Sequence, residues 1–248
     1  MTLQDFFGQY KRVAVAFSGG VDSAYLLYAA KRYAKKVCAY YVKSEFQPQF
    51  ELDDAIKLAG SLCVELKILD YKILSVKGVK ENPADRCYYC KKAIFAAIVE
   101  AAKADGFSVL LDGTNASDDA GDRPGMRVLQ ELSVLSPLRD CGLTKSEIRR
   151  RSKEAGLFTW DKPAYACLAT RISVGETITA EKLAATEAAE DFLTCLGFSD
   201  FRVRSFDGNA KLQITQDQWE LLAGHRKIIL QKLKEYYKTV VLDLEVRG

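Results

Sequence analysis

Apolar runs alternate with amphipathic stretches along the first two thirds of the chain. Residues 12–17 form a short apolar run with β-branched side chains, which is typical of a buried parallel strand. A helical pattern follows, and further strand patterns recur at residues 37–42, 64–69 and 108–113. This alternation predicts a doubly wound parallel sheet with right-handed crossovers. In such sheets of order 3-2-1-4-5, the fourth strand lies beside the first.

The pattern changes near Trp160. Beyond it the sequence predicts a long amphipathic helix, two strands, a second helix and a last strand, at residues 179–196, 201–206, 210–214, 225–237 and 239–244. Asp207-Gly208-Asn209 has the chemistry of a hairpin turn between the two strands. We therefore expect an α/β domain with a doubly wound parallel sheet over residues 1–160 and a smaller α+β domain over residues 161–248.

A glycine-containing hexapeptide joins the first predicted strand to the first helix. It reads Ser18-Gly19-Gly20-Val21-Asp22-Ser23. Two glycines allow backbone N–H groups to approach a ligand closely at the positive end of a helix dipole. The serine hydroxyls can donate to phosphate oxygens, and Asp22 suits Mg²⁺. No lysine follows the glycines as in a Walker A loop. A glycine pair alone would predict only a tight turn, but six such positions at this junction predict an ATP phosphate loop.

A second segment follows the fourth predicted strand and is expected to face the same ATP. It contains Gly113, Thr114 and Asn115, which we predict to lie at the nucleotide, and it ends in two acidic residues. Asp118 or Asp119 is expected near the magnesium ion. Without the hexapeptide, this acidic turn would be interpreted as an ordinary loop.

Three of the seven cysteines are candidates for chemistry. Cys87 and Cys90 form a C-x2-C pair at the start of a predicted helix, and Cys167 lies far along the chain. The pair alone is compatible with a redox pair, half a zinc site or coincidence. Because His225 is the single histidine, a four-ligand zinc site is poorly supported. Three thiolates also suit a 4Fe–4S cluster with one iron left open for a substrate, and nearby basic residues favour thiolate.

The other four cysteines are not assigned chemistry. Cys38, Cys63 and Cys195 fit strand or apolar helix positions, where cysteine packs as a small hydrophobic side chain. Cys141 lies in a predicted loop and has no assigned role.

The hexapeptide resembles the loop of the PP-loop ATPases, which transfer AMP to a substrate oxygen. The CYYCKK, GTNASDD and KPAYACLATRIS segments, with FRVR downstream, resemble the LarE family over residues 12–246. That family comprises the ATP-dependent sulfur transferases that build the nickel-pincer nucleotide cofactor of lactate racemase. The resemblance implies that carboxylates of pyridinium biscarboxylic acid mononucleotide are adenylated and converted to thiocarboxylates. It also implies a homo-oligomer.

The resemblance assigns roles to individual residues. In one branch of the family the cysteine matching Cys167 gives up its own sulfur, and in another three cysteines hold a 4Fe–4S cluster. Cys87, Cys90 and Cys167 match the cluster branch, whereas the sacrificial route needs only Cys167. Arg202 and Arg204 match arginines at the substrate phosphate or carboxylate, although a solvated strand face is the plainer interpretation of their spacing.

One position departs from the family pattern. Gln213 stands where an acidic residue is expected. Any metal or substrate role carried over to that position is therefore in doubt.

Composition and net charge narrow the range of functions that the sequence allows. The chain has 248 residues, of which 48% are hydrophobic, so it can bury a core, and it has no run of about 20 apolar residues. A net charge of +3 disfavours nucleic acid as a partner, and the basic run at residues 149–153 is expected to be a solvated helix face. We expect a cytoplasmic enzyme without a membrane partner. A tRNA thiolase is the rival enzyme, and a nucleotide sensor without turnover is the rival of another class.

Overall fold

The structure is a computed structural model, and it describes residues 1–118 and 124–247. In those residues the main elements are α1 (Leu3–Gln9), β1 (Arg12–Ala16), α2 (Val21–Tyr33), β2 (Lys36–Lys43), α3 (Gln49–Ser61), β3 (Glu65–Asp70), α4 (Arg86–Ala104), β4 (Leu110–Leu111), α5 (Pro124–Glu131), α6 (Pro137–Asp140), α7 (Lys145–Glu154), α8 (Ala180–Cys195), β5 (Arg202–Phe206), β6 (Asn209–Gln213), α9 (Trp219–Leu233) and β7 (Val240–Leu242). Short 3-10 helices include Leu168–Arg171.

The chain forms two compact units. The first contains residues 1–73 and 87–165. The second contains residues 74–86 together with the chain from Ala166 onward. The sequence predicted a boundary near residue 160, and it gave no signal that residues 74–86 associate with the later part of the chain.

The first unit is built on a parallel sheet with the strand order β3-β2-β1-β4. In its register Val15 pairs with Ala39 on one side and Leu111 on the other. Val13 and Val15 point into a core with α2, while Ala14 points into a second core with Ile98 of α4. Because successive strand residues face opposite sides, apolar residues at every position allow helices to cover both faces. The predicted doubly wound sheet is confirmed.

The fourth strand is shorter than the sequence predicted. Pairing with β1 is limited to Leu110 and Leu111. The next backbone N–H, that of Asp112, donates to the carbonyl of Leu135 at 2.9 Å. From Asp112 onward the chain is a loop that runs beside the start of α2.

Gly113 makes the tightest backbone approach in that loop. A Cβ atom at Gly113 would lie 2.9 Å from the Ser23 amide nitrogen and 3.1 Å from its Cα. Real Cβ atoms do not approach backbone this closely, so a side chain there would push the two segments apart. Gly19 is required for a different reason, since its φ of 73° lies in the left-handed region.

The second unit contains a three-stranded sheet of order β5-β6-β7. β5 and β6 are antiparallel, and the turn residues Asp207 and Gly208 both have positive φ, as in a type I′ hairpin. The predicted hairpin is confirmed, and β7 runs parallel to β6. The helix expected at 225–237 begins earlier, at Trp219, so His225 lies inside it with Nδ1 3.0 Å from the carbonyl oxygen of Leu221.

The Gly113 contact gives a stability prediction. We expect Gly113→Ala to destabilise the protein by about 1–3 kcal/mol, because the added methyl group overlaps the Ser23 backbone. Gly60→Ala is the matched control, since Gly60 lies in α3 of the same unit with open space around it. Alanine there should be neutral or stabilise by up to about 1 kcal/mol. Denaturant unfolding of the full chain measures both, and equal midpoints for the two variants would contradict the close approach.

Candidate active site

The predicted phosphate loop connects β1 to α2. Ser18 and Ser23 hold it closed, with their hydroxyl oxygens 3.0 Å apart and the Ser18 N–H donating to Ser23 Oγ at 3.3 Å. Gly20 is the N-cap of α2, and no side chain caps the helix there. An N-terminus without a side-chain cap presents N–H groups to an anion. Val21 is buried in the core and anchors the first turn.

A cavity of about 290 Å³ lies at this loop. Three chain segments line it, namely the loop with the end of β1, one face of α4, and the loop after β4. Its lining residues are Ala16, Ser18, Gly20, Asp22, Ser23, Lys91, Phe95, Asp112, Gly113, Thr114 and Asp118. Most of the predicted nucleotide residues of the first unit therefore lie together. Asn115 is buried behind them, where its side-chain oxygen accepts the Ser117 N–H.

Asp22 has one carboxylate oxygen engaged and one without a partner. Oδ2 lies 2.6 Å from Nζ of Lys145, the first residue of α7. Oδ1 is buried, and within residues 1–118 and 124–247 it has no hydrogen-bond partner. Burying a carboxylate oxygen without a partner costs free energy, and a hard cation is a suitable partner. The donor set therefore fits Mg²⁺ at Asp22.

The second predicted magnesium ligand is partly engaged. Asp118 lines the cavity, and its Oδ2 accepts the Asn115 N–H at 2.9 Å. Asp112, which was not predicted as a site residue, accepts the hydroxyls of Thr114 and Ser136. Asp119 lies outside the described residues.

Lys91 is a cavity residue that was not assigned to the nucleotide. It lies one position after Cys90 on α4 and faces the cavity together with Phe95. Burial lowers its pKa, while the charges of Asp112 and Asp118 act in the opposite direction. Lys92 instead pairs at the surface with Glu131 at 2.8 Å. The spacing of Lys91 and Phe95 predicts a shared helix face, but the sequence alone does not separate Lys91 from Lys92.

The three candidate thiols are divided between the units. Cys87 and Cys90 lie in the first turn of α4, three residues apart and hence on one face. Both belong to the first unit, and Cys167 belongs to the second. Within residues 1–118 and 124–247, no group of three His, Cys, Asp or Glu side chains is arranged to hold a metal ion. The three-cysteine ligand set stays a prediction.

Cys167 begins the short 3-10 helix of the second unit. Its carbonyl accepts both the N–H and the hydroxyl of Thr170, at 2.9 and 2.8 Å. Its Sγ lies 3.8 Å from Nη1 of Arg86 and is half-buried. The thiol thus lies on a short, well-fixed turn beside a cation.

A buried ion pair fixes that turn. Arg171 is 1% exposed, and its Nε and Nη2 donate to the two carboxylate oxygens of Glu190 at 2.9 and 3.1 Å. Its Nη1 donates to the carbonyl of Ala166 at 2.7 Å, and Glu190 also accepts the Val203 N–H at 3.0 Å. The pair therefore joins the Cys167 turn to α8 and β5.

The two predicted substrate arginines lie on β5 in the same unit. Arg204 donates to the carbonyl of Thr170 at 2.9 Å and to Gln213 Oε1 at 2.5 Å. Arg202 is 7% exposed and donates to the carbonyl of Phe201 at 2.5 Å. Burial lowers the pKa of both arginines, and the positive charges of Arg171 and Arg247 lower it further. The structure thus brings Arg204 to the Cys167 turn.

Gln213 lies between a base and an acid. It accepts from Arg204, and its Nε2 donates to Asp243 Oδ2 at 2.8 Å. The family pattern predicts an acidic side chain at this position. This chain instead has a neutral amide, which connects Arg204 to the carboxylate of Asp243.

Two of the four remaining cysteines differ from the predicted packing. Cys38 is buried as expected, but Cys63 and Cys195 are exposed, so their prediction as buried side chains was wrong. Cys63 lies in a turn with positive φ after α3, and Cys195 is the last residue of α8. Burial raises the pKa of Cys141.

Arginines of the basic run on α7 form ion pairs with glutamates of the same helix. Arg150 and Arg151 both pair with Glu147, and Arg150 also pairs with Glu154. The expected solvated face holds only in part, because Arg149 donates to the carbonyls of Trp160 and Lys162 and Ser152 is buried. None of the helices in the described residues is long and apolar enough to cross a membrane.

The chain is similar in sequence to several known proteins. The family model of the queuosine biosynthesis protein QueC matches residues 12–82. An uncharacterized protein of Synechocystis sp. is 32% identical over 98% of this chain and 92% of its own length. Pyridinium-3,5-bisthiocarboxylic acid mononucleotide synthase of Lactiplantibacillus plantarum is 31% identical over 94% of this chain and 86% of its own length. The tRNA-specific 2-thiouridylase MnmA of Thermotoga sp. is 27% identical over 59% of this chain and 52% of its own length.

The Arg171–Glu190 pair gives the second prediction. We expect Glu190→Gln to destabilise the protein by about 3 kcal/mol, because it leaves a buried guanidinium without its counter-charge. Glu154→Gln removes an acid from an exposed pair with Arg150 and should leave the unfolding midpoint unchanged. Denaturant unfolding compares the two variants. A Glu190→Gln protein as stable as the control would show that the pair does not fix the Cys167 turn.

Proposed function

Because the chain belongs to the LarE family of ATP-dependent sulfur transferases, we propose that it adenylates the carboxylates of pyridinium biscarboxylic acid mononucleotide and converts them to thiocarboxylates. The name of the L. plantarum relative supports this substrate, since its product is the bisthiocarboxylic acid mononucleotide. The observation that supports the chemistry is the loop without a side-chain cap beside the unpartnered Oδ1 of Asp22. Homo-oligomerisation, implied by the family resemblance, belongs to the same proposal.

The first step takes place at the phosphate loop. Loop amides, the hydroxyls of Ser18 and Ser23, and the Lys91 ammonium bind the β and γ phosphates. Asp22, with Asp118 at the same cavity, would hold Mg²⁺, which neutralises phosphate charge when bound. A substrate carboxylate oxygen attacks the α phosphorus, the bond to the bridging oxygen breaks, and pyrophosphate leaves. The product is an acyl-adenylate.

The second step uses sulfur at Cys167. The sulfur attacks the acyl carbon, and the C–O bond to AMP breaks, with the electron pair leaving on AMP. Arg202 and Arg204 bind the substrate phosphate or carboxylate, a task that suits planar guanidinium groups. Burial lowers the pKa of both arginines, and an anionic substrate group would compensate the buried guanidinium charge.

The sulfur source has two candidate forms. Three thiols fit the donor chemistry of a 4Fe–4S cluster, which Cys87, Cys90 and Cys167 would hold and which would supply a hydrosulfide. The alternative is that Cys167 itself forms a thioester with the acyl carbon; loss of its α proton then breaks the Cβ–Sγ bond, the electron pair leaves on the sulfur of the thiocarboxylate, and Cys167 becomes dehydroalanine. The C-x2-C pair supports the cluster, because the sacrificial route has no use for it.

Cysteine variants test this proposal. Cys167→Ala should abolish thiocarboxylate formation while substrate-dependent pyrophosphate release survives at least in part, because adenylation needs no thiol. Cys195→Ala, at an exposed cysteine of the same unit, is the control and should transfer sulfur normally. Mass spectrometry of the nucleotide and a pyrophosphate assay measure the two steps. Normal sulfur transfer by Cys167→Ala, or sulfur delivered to tRNA and not to the mononucleotide, would overturn the proposal.

Sulfur-transfer assays, combined with iron and sulfide analysis, separate the two sulfur sources. In the cluster route, Cys87→Ser and Cys90→Ser lose both sulfur transfer and the iron and acid-labile sulfide of anaerobically purified protein. In the sacrificial route, both variants still transfer sulfur, and Cys167 becomes dehydroalanine after turnover.

Neighbouring lysines test the phosphate assignment. Lys91→Met should weaken binding of MgATP about tenfold, equivalent to about 1.4 kcal/mol, whereas Lys92→Met at the surface should leave it unchanged. Since burial lowers the pKa of Lys91 and phosphate binds its charged form, wild-type affinity should fall as pH rises through that lowered pKa. Lys91→Met should lose this component of the pH dependence. Calorimetric titration measures it, and identical affinities for the two variants would reject the assignment.

A further inference from the structure

Lys145 begins α7 and is fixed by its backbone to the loop that follows β4. Its N–H donates to Ser117 Oγ at 2.9 Å. Two residues earlier, the carbonyl of Leu143 accepts the Ala116 N–H at 2.8 Å. The start of α7 therefore has a defined position beside the loop that carries Asp118.

The side chain of Lys145 reaches the phosphate loop. Its Nζ lies 2.6 Å from Oδ2 of Asp22, and the two side chains are 36% and 23% exposed. Asp22 lies in the first turn of α2, where the helix dipole favours an anion. The same effect disfavours a lysine in the first turn of α7. The helix dipole thus explains the position of Asp22 but not that of Lys145, whose ammonium is held there by the carboxylate.

The carboxylates that line the cavity are offset by nearby cations. The carboxylates are those of Asp22, Asp112 and Asp118, and the cations are Lys91 in the lining, Lys145 at Asp22, and Arg139, which donates to the carbonyl of Asp118. A free divalent cation therefore meets little net negative charge at this cavity. At Asp22 it also meets an ammonium on the same carboxylate, and like charges at such short range repel each other strongly.

ATP changes this balance of charge. Mg²⁺ in nucleotide sites is commonly held by one or two carboxylates together with the substrate phosphates. A divalent cation that arrives on ATP brings several negative charges with it, and these offset the repulsion by Lys145. The charge distribution of the cavity thus favours the metal–nucleotide complex over the free metal ion.

We propose that Lys145 is the resident counter-ion of Asp22 and prevents a divalent cation from binding there without ATP. The proposal rests on the proposed function, in which Asp22 holds Mg²⁺ during adenylation. Lys145 then acts through the Asp22 carboxylate, and it makes the site selective for a cation that is already bound to the polyphosphate.

Binding of Mn²⁺ to the full chain tests this proposal. Mn²⁺ stands in for Mg²⁺, and its paramagnetic resonance signal in solution measures the free ion. Without nucleotide, we expect Lys145→Gln to bind Mn²⁺ about tenfold more tightly than the wild type, because one repelling charge is removed. Lys145→Arg should keep the weak binding of the wild type, because it keeps the charge. Asp22→Asn combined with Lys145→Gln should lose the gain, which assigns the bound ion to Asp22.

Lys67→Gln is the matched control. Lys67 pairs with Asp105 at 2.5 Å, and the two side chains are 37% and 28% exposed, much as in the Lys145 pair. The substitution also releases one carboxylate, but Asp105 does not line the cavity. Mn²⁺ affinity should therefore be unchanged. An equal gain in Lys67→Gln would show that any released carboxylate collects the ion, and the proposal would be rejected.

The direction of the effect separates this role from a structural one. A loosened start of α7 would disturb the cavity and lower Mn²⁺ affinity, whereas removal of the charge raises it. If Lys145→Gln does not fold, Lys145→Met replaces it with the same expected gain. Equal or weaker Mn²⁺ binding by the folded variant, compared with the wild type, overturns the proposal.

A second titration lets the two proposals fail separately. It adds an ATP analogue with a methylene group between the α and β phosphorus atoms, which should make the wild type bind Mn²⁺ tightly. Tight binding by the wild type with the analogue, but no gain in Lys145→Gln without it, rejects the role of Lys145 alone. A gain in Lys145→Gln, in a protein that forms no thiocarboxylate, supports the counter-ion role and rejects the proposed function.

Discussion

The predicted nucleotide site of the first unit depends on the approach of the Gly113 backbone to the first turn of α2. Parallel pairing of β4 beside β1 brings the carboxyl ends of both strands to one edge of the sheet. The absence of a side chain at Gly113 then allows its loop to reach the Ser23 backbone. If that distance were larger, Asp118 and Thr114 would withdraw from Asp22. The cavity is therefore a consequence of strand order combined with one glycine.

The Cys167 turn of the second unit depends on buried charge. Arg171 and Glu190 are both removed from solvent, so each needs the other, and their remaining hydrogen-bonding groups bind backbone on the Cys167 turn and on β5. Such a pair contributes little net stability compared with apolar residues of the same volume, but it specifies one arrangement of the three segments. If Cys167 has the proposed role, it benefits from that arrangement, because catalysis depends on the distance and direction of attack.

The sequence predicted the features that depend on local chemistry. The sheet order follows from apolar strand runs, the hairpin from Asp207-Gly208, and the phosphate loop from its glycines. It missed features that depend on distant contacts. Arg86 is one of the basic residues near the candidate thiols, but the sequence does not reveal that the Asn82 side chain donates to the carbonyl of Ser173 and so holds residues 74–86 against the later part of the chain. Lys91 was not separated from Lys92, because only packing determines which of two adjacent lysines is buried.

Gln213 shows how one neutral side chain alters the charge at such a site. An acid at this position would pair with Arg204 and neutralise it in the absence of substrate. The amide satisfies the Arg204 Nε–H without cancelling its charge, and it passes the other hydrogen bond to Asp243, which already pairs with Lys211 at 2.8 Å. Burial lowers the pKa of Arg204, and the charges of Arg171 and Arg247 lower it further. In the proposed function an anionic group of the bound nucleotide would balance the charge of Arg204, so the departure at Gln213 is compatible with the proposed role of Arg204 in substrate binding.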